Sequence, residues 1–83
     1  MDIRIRVRLY AVLREAAGTG ELELEVPAGA TCEAAMRELF DRLPALRRFG
    51  DHLACAVNQE YADRQTVLRD GDELALIPPV SGG

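Results

Sequence analysis

Residues Asp2-Ile3-Arg4-Ile5-Arg6-Val7-Arg8-Leu9 alternate charged and apolar side chains without a break. Period two over eight residues is the signature of a β-strand with one face buried and one face in water. The next alternating run, Glu21-Leu22-Glu23-Leu24-Glu25-Val26, repeats the pattern with the opposite sign on its polar face. Arginines on one strand and glutamates on the other favour pairing as neighbours, at about 0.2–1 kcal/mol per opposed pair. The two runs therefore read as antiparallel partners in one sheet, with a solvated charged face.

Outward from these strands, Tyr10 to Ala17 reads as a short helical turn ended by Gly18-Thr19-Gly20. After Pro27-Ala28-Gly29, Thr31 reads as the N-cap of a longer helix. Met36, Leu39, Phe40 and Leu43 then form its apolar stripe, Glu33 suits its first turn, and Pro44 stops it. Leu53, Cys55 and Val57 mark a third strand, and Asn58 to Gln65 reads as a polar loop containing Tyr61. Asp70-Gly71 is a turn signal. Glu73 to Ile77 is the last strand, closed by Pro78-Pro79. One main helix on a mostly antiparallel sheet gives an α+β domain spanning 1–83. The helix also supplies the crossover that lets the first and last strands pair in parallel.

Composition narrows the chemistry. The chain has 83 residues, 48% of them hydrophobic and 29% charged, with a net charge of -4. An acidic chain is a poor match for phosphate backbones or anionic membranes, so neither nucleic acid nor membrane is expected as a partner. A partner with a basic pocket is. All ten basic residues are arginine, which excludes a Schiff-base lysine. No apolar run could span a bilayer, the N-terminus is no signal peptide, and the expected compartment is the cytoplasm. Cys32 and Cys55 read as free thiols, Cys55 in the core and Cys32 at a helix start, where a thiol pKa can fall.

No conventional catalytic constellation is present. His52 is the sole histidine and reads as an exposed loop residue, so neither a multi-histidine metal site nor a complete triad can be built around it. Asp70, Asp72 and Glu73 lack the spacing of a calcium loop and suit a turn. What remains is the C-terminal run Pro78-Pro79-Val80-Ser81-Gly82-Gly83. Pro-Pro favours extended backbone, so 78–83 is expected to be an extended flexible tail reaching roughly 20 Å. Val80 is an apolar anchor, and Gly82-Gly83 can enter a channel closed to side chains. Such a tail would deliver the Gly83 carboxylate into another protein's site. Activation as an acyl-adenylate and replacement by sulfur would make it a thiocarboxylate.

Three segments carry a family resemblance: Val7-Arg8-Leu9-Tyr10-Ala11-Val12-Leu13-Arg14-Glu15-Ala16-Ala17-Gly18, Val57-Asn58-Gln59-Glu60-Tyr61, and Asp70 through Gly83. The chain resembles the MoaD family, the small sulfur-carrier subunits of molybdopterin synthase. The resemblance implies a ubiquitin-like β-grasp fold and a non-catalytic role within a sulfurtransferase complex. It implies that a MoeB-type enzyme uses ATP to adenylate Gly83, and that a sulfurtransferase system then forms the thiocarboxylate. It further implies docking on a MoaE-type large subunit in a heterotetramer, with Pro79, Val80, Ser81, Gly82 and Gly83 in that subunit's channel. Sulfur would pass to cyclic pyranopterin monophosphate, and no cofactor or metal would be held permanently. Tyr10, Tyr61 and Ile77 match apolar contact positions of the family. Strand phase also turns Tyr10 and Ile77 outward. Arg14 matches a family position of unassigned role. Carriers for thiazole, cysteine or tRNA thiolation, a ubiquitin-like protein modifier, and a passive interaction module are the competing readings.

Overall fold

The computed structural model describes residues 1–79; Val80, Ser81, Gly82 and Gly83 lie outside the described residues. The chain runs β1 (Asp2–Leu9), α1 (Val12–Ala17), β2 (Glu21–Pro27), α2 (Cys32–Arg42), a 3-10 helix (Pro44–His52), β3 (Ala54–Val57), β4 (Glu60–Ala62) and β5 (Glu73–Ile77). The strands form one sheet in the order β2-β1-β5-β3-β4. Only β1 and β5 are parallel; the other neighbours are antiparallel. This is the mixed sheet and main helix of an α+β β-grasp fold.

Alternation built β1 and β2 as the sequence predicts, with Arg4, Arg6 and Arg8 opposite Glu25, Glu23 and Glu21. The ion pairs are less regular than the register. Arg4 reaches Glu25 at 3.5 Å, but Arg6 and Arg8 both lean to Glu21, at 3.7 and 4.0 Å. All are exposed and contribute little to stability. The inner face does the holding. Ile5, Val7, Leu9, Leu24, Val26, Leu74 and Leu76 are buried there against Cys32, Ala35, Met36 and Leu39 of α2. Phe40 and Leu43 of the predicted stripe are only partly buried, and the small residues Cys32 and Ala35 complete the contact instead.

Helix α2 begins as predicted, with Thr31 Oγ1 accepting from the Ala34 N–H at 3.2 Å. Two further first-turn donors, the N–H groups of Cys32 and Glu33, go to the carbonyls of Thr66 and Arg64 at 2.9 Å each. The loop between β4 and β5 thus satisfies the helix end that would otherwise be orphaned. Helix α1 ends at Gly18, whose φ of 79° is open to glycine at no steric cost. The Asp70-Gly71-Asp72 turn binds the start of β1: the Arg4 N–H donates to Asp70 Oδ1, the Gly71 N–H to the Arg4 carbonyl, and the Arg6 N–H to the Asp72 carbonyl. These carboxyl groups serve the turn, and no metal-binding cluster occurs among the described residues. No helix of the described residues is long and apolar enough to cross a membrane.

One expectation is corrected and another extended. Asn58 to Gln65 is not all loop: Asn58 and Gln59 have φ of 51° and 72°, a two-residue hairpin turn that returns the chain as β4. Tyr61 therefore sits on a strand. Pro44 does stop α2, but it also opens the 3-10 helix, which delivers Leu46 to the core. Where this segment packs on α2 there is no room for a side chain at Gly50, since a Cβ at that position would meet Phe40 Cε2 at 2.9 Å.

Cys32 and Cys55 are both free and buried. The place of Cys32 at a helix N-terminus would lower a thiol pKa, but burial dominates and, with the Cys55 thiol beside it, pushes Cys32 up from 9.0 to about 11. Burial likewise raises Cys55, against the opposing charge of Arg64. Cys55 Sγ rests 3.6 Å from Met36 Sδ. Both thiols are core groups, closed to chemistry in the folded protein.

Leu74→Ala should lower unfolding free energy by about 2–5 kcal/mol in urea titration, because Leu74 is buried between sheet and helix. In alkali, the unfolded Cys32 thiol ionises first. The stability it confers is whole below pH 9.0 and lost as pH rises towards about 11. Urea titrations across that window should show a shallower decline for Cys32→Ala than for the wild type.

Candidate functional site

The outer face of the sheet changes character from one edge to the other. Over β2 and β1 it carries the glutamates and arginines described above. Over β5, β3 and β4 it carries small, aliphatic and aromatic side chains, with Glu73 at the border. The registers align one row across all five strands: Glu21, Arg8, Ala75, Ala56 and Tyr61. The next row runs Ile77 to Ala54. Tyr10 continues β1 beyond Leu9, which faces Leu76, and so comes alongside Ile77.

This places Tyr10, Ile77 and Tyr61, distant in sequence, around one shallow hollow shared with Ala56, Ala75 and Gln59 and bordered by the carboxylate-bearing Glu73. Ala75 and Ala56 form its floor, at 5% and 6% exposure although they face outward. Their short side chains leave a depression between larger neighbours. Tyr61 is 79% exposed and Tyr10 41%. Arg8 lies over the Tyr10 ring at 5.8 Å, a cation–π contact at the border of the charged half.

The turn after Tyr10 is held in an unusual shape. Ala11 has φ 52° and ψ −126°, a region normally left to glycine, and the Leu13 N–H closes the turn on the Tyr10 carbonyl at 3.0 Å. A residue kept there costs of order 1–3 kcal/mol, which the surrounding sheet and helix must offset. The strain lies next to the aromatic ring that borders the hollow. Arg14, on the helix that follows, is exposed and lays its side chain along Gly20, where a Cβ would meet it at 3.3 Å. It has no ion-pair partner among the described residues.

The chain leaves the sheet beside this hollow. β5 ends at Ile77; Pro78 is half-buried and Pro79 exposed. The remaining tail positions, Val80, Ser81, Gly82 and Gly83, fall outside the described residues. A protein seated on the hollow would meet Pro79 as the chain emerges. Reading the sequence found the three large residues from strand phase and resemblance, but not the alanine floor. The signal was present in Ala54, Ala56 and Ala75, which alternate with apolar residues on the face where charged ones are usual. His52 is exposed, as expected.

Comparison with known proteins agrees with this architecture. The ThiS family matches residues 7–83. The molybdopterin synthase sulfur carrier subunit of Chlamydomonas reinhardtii is 40% identical over 83 residues, covering 98% of this chain and 100% of that one. The protein of the same description from Arabidopsis thaliana is 37% identical over 82 residues, covering 99% and 85%. Among solved structures, H. volcanii small archaeal modifier protein 1 superposes with a TM-score of 0.87 at 35% identity, covering 94% of this chain and 99% of its own. Fold, length and full-length identity converge: the chain belongs to the ThiS family and, within it, to the MoaD family of molybdopterin synthase sulfur carrier subunits.

Proposed function

We propose that this chain carries sulfur on its C-terminal glycine for molybdopterin synthesis and is not itself the catalyst. The observation that supports this most directly is the juxtaposition of an apolar hollow with the point where the chain leaves β5. A carrier must be held firmly while its end reaches into a second protein, and the two needs are met side by side. The hollow of Tyr10, Ile77 and Tyr61 is the docking surface for a MoaE-type large subunit in a heterotetrameric synthase. Pro79, Val80, Ser81, Gly82 and Gly83 enter that subunit's channel. The acidic surface suits a partner whose pocket must be basic to bind a phosphorylated pterin.

Loading precedes docking. A carboxylate is a poor acyl donor, so a MoeB-type enzyme joins Gly83 to the α-phosphate of ATP and pyrophosphate leaves. The persulfide of a sulfurtransferase then displaces AMP at the acyl carbon, and a thiol reductant cleaves the resulting S–S bond to leave a thiocarboxylate. This soft nucleophile displaces an oxygen substituent of cyclic pyranopterin monophosphate; water then cleaves the acyl–sulfur bond, leaving the sulfur on the pterin and a free Gly83 carboxylate, and a dithiolene takes two such deliveries. Buried Cys32 and Cys55 take no part. The carrier works in the cytoplasm and holds no permanent cofactor.

Incubation with the adenylating enzyme, ATP and a sulfur donor should raise the mass at Gly83 by the difference between a sulfur and an oxygen atom. An unchanged mass with active enzyme would refute the proposal. Adding one alanine after Gly83 should abolish transfer while leaving the unfolding curve unchanged. Tyr61→Ala should weaken binding to the large subunit by about 1–4 kcal/mol, read by calorimetry, with folding unaffected because Tyr61 is 79% exposed. The likeness to an archaeal modifier protein favours a second reading, attachment of Gly83 to other proteins. Covalent adducts in cell extracts, absent for a chain lacking Gly82 and Gly83, would support it.

A further inference from the structure

At the margin of the sheet opposite Tyr61 lies β2, whose outer edge has no neighbouring strand among the described residues. Which of its backbone groups face outward follows from the pairing with β1. The Leu9 N–H donates to the Gly20 carbonyl and the Ala28 N–H to the Met1 carbonyl, at 2.9 and 2.8 Å. Hydrogen-bonded pairs alternate along an antiparallel ladder. Leu22, Leu24 and Val26 therefore bond inward to β1, and Glu21, Glu23, Glu25 and Pro27 turn their backbone outward.

Both ends of this edge are closed. Thr19 Oγ1 accepts from the Glu21 N–H at 3.3 Å and donates to the Glu21 carbonyl at 2.8 Å. Pro27 has no N–H, and its carbonyl accepts from Ala30 at 3.0 Å. The N–H and C=O groups of Glu23 and Glu25 remain, with no protein partner among the described residues. They are flanked by a hollow lined by Arg4, Glu23, Leu24, Glu25 and Arg42. Charge marks the same place. Glu21 and Glu25 are engaged by arginines, and Arg42 by Glu38, whereas Glu23 has no ion-pair partner among the described residues.

We infer that this two-residue window binds an extended, basic segment of a partner protein as an added strand. Four backbone hydrogen bonds would form, two at Glu23 and two at Glu25. Residues directly opposite one another in an antiparallel pair share a face. The segment's residues facing Glu23 and Glu25 would thus stand beside their carboxylates, and lysine or arginine suits both positions. The residue between them would point to the Leu24 side, where a small apolar side chain fits. The recognised pattern is basic, apolar, basic. A second copy of this chain is disfavoured, because β2 against β2 sets glutamates beside glutamates. The inference does not depend on sulfur transport, and the strip stays open when the hollow of Tyr10 and Tyr61 is occupied.

The test uses the full chain and a blocked peptide of sequence threonine-lysine-valine-arginine-threonine, with amide exchange followed by NMR. Alone, the protein should show slow exchange at Leu22, Leu24 and Val26 and fast exchange at Glu23 and Glu25. Saturating peptide should slow Glu23 and Glu25 about tenfold or more. A peptide with glutamate in both basic positions should have no effect. Glu23→Pro removes one outward donor, a change an edge strand tolerates, and should abolish the protection. Glu23→Gln should weaken binding about threefold or more while leaving the fold untouched. Unchanged exchange at Glu23 and Glu25 under saturating peptide would overturn the inference. So would protection of these amides by self-association alone, or equal protection by the acidic peptide.

Discussion

The parallel pairing of β1 with β5 is the constraint on which the rest depends. It joins the first strand of the chain to the last, so every intervening element must fit between the two. Arg6 to Leu9 align with Glu73 to Leu76, and the inner members of both strands are buried. A parallel neighbour cannot be reached by a hairpin, so the chain must cross over the sheet, and α2 makes that crossing with its apolar face down. The Asp70-Gly71-Asp72 turn then sets the register by bonding to Arg4 and Arg6 before β5 begins. With β1 and β5 fixed in the middle, β2 and β3 have one free side each to occupy, and β4 can only be an edge.

Much of this was legible because the strongest local signals coincide with the largest burial. β1 and β2 alternate so regularly that one face had to be inside, and Thr31 capped α2 as its side chain dictates. What escaped detection was short or depended on distant neighbours. β4 has three residues, and its turn uses Asn58-Gln59 in place of the asparagine-glycine that advertises a hairpin. The 3-10 helix turns only Leu46 and Phe49, three residues apart, toward the core, a stripe too short to stand out beside an α-helical period. The full burial of Cys32 was hidden for a related reason. The helix end was visible in the sequence, but the depth to which it sinks was set by the sheet beneath it. At the site, phase along each strand gave Tyr10 and Ile77 their outward direction. The alanine floor joining them to Tyr61 existed only once the registers of β3, β4 and β5 were known.

The sheet's exposed face is divided by side-chain size as well as by charge. Arginine and glutamate rows keep β1 and β2 solvated, and their pairs are too exposed to stabilise the fold appreciably. Their effect is to confine apolar contact to the opposite half, around Ala56 and Ala75. Arg8 stands at the boundary, reaching Glu73 at 3.5 Å and the Tyr10 ring at 5.8 Å. One face can therefore present a dry surface and a charged one without either disturbing the core behind it.

Because β5 is held by β1 on one side and β3 on the other, its geometry has a mechanical consequence. A pull applied at Pro79 in the direction of β5 acts along the axis of the central strand. Ladder bonds on both flanks then bear the load together in shear, rather than parting in sequence as they would if an edge were peeled away. The scaffold can thus hold its shape under a load applied along that strand.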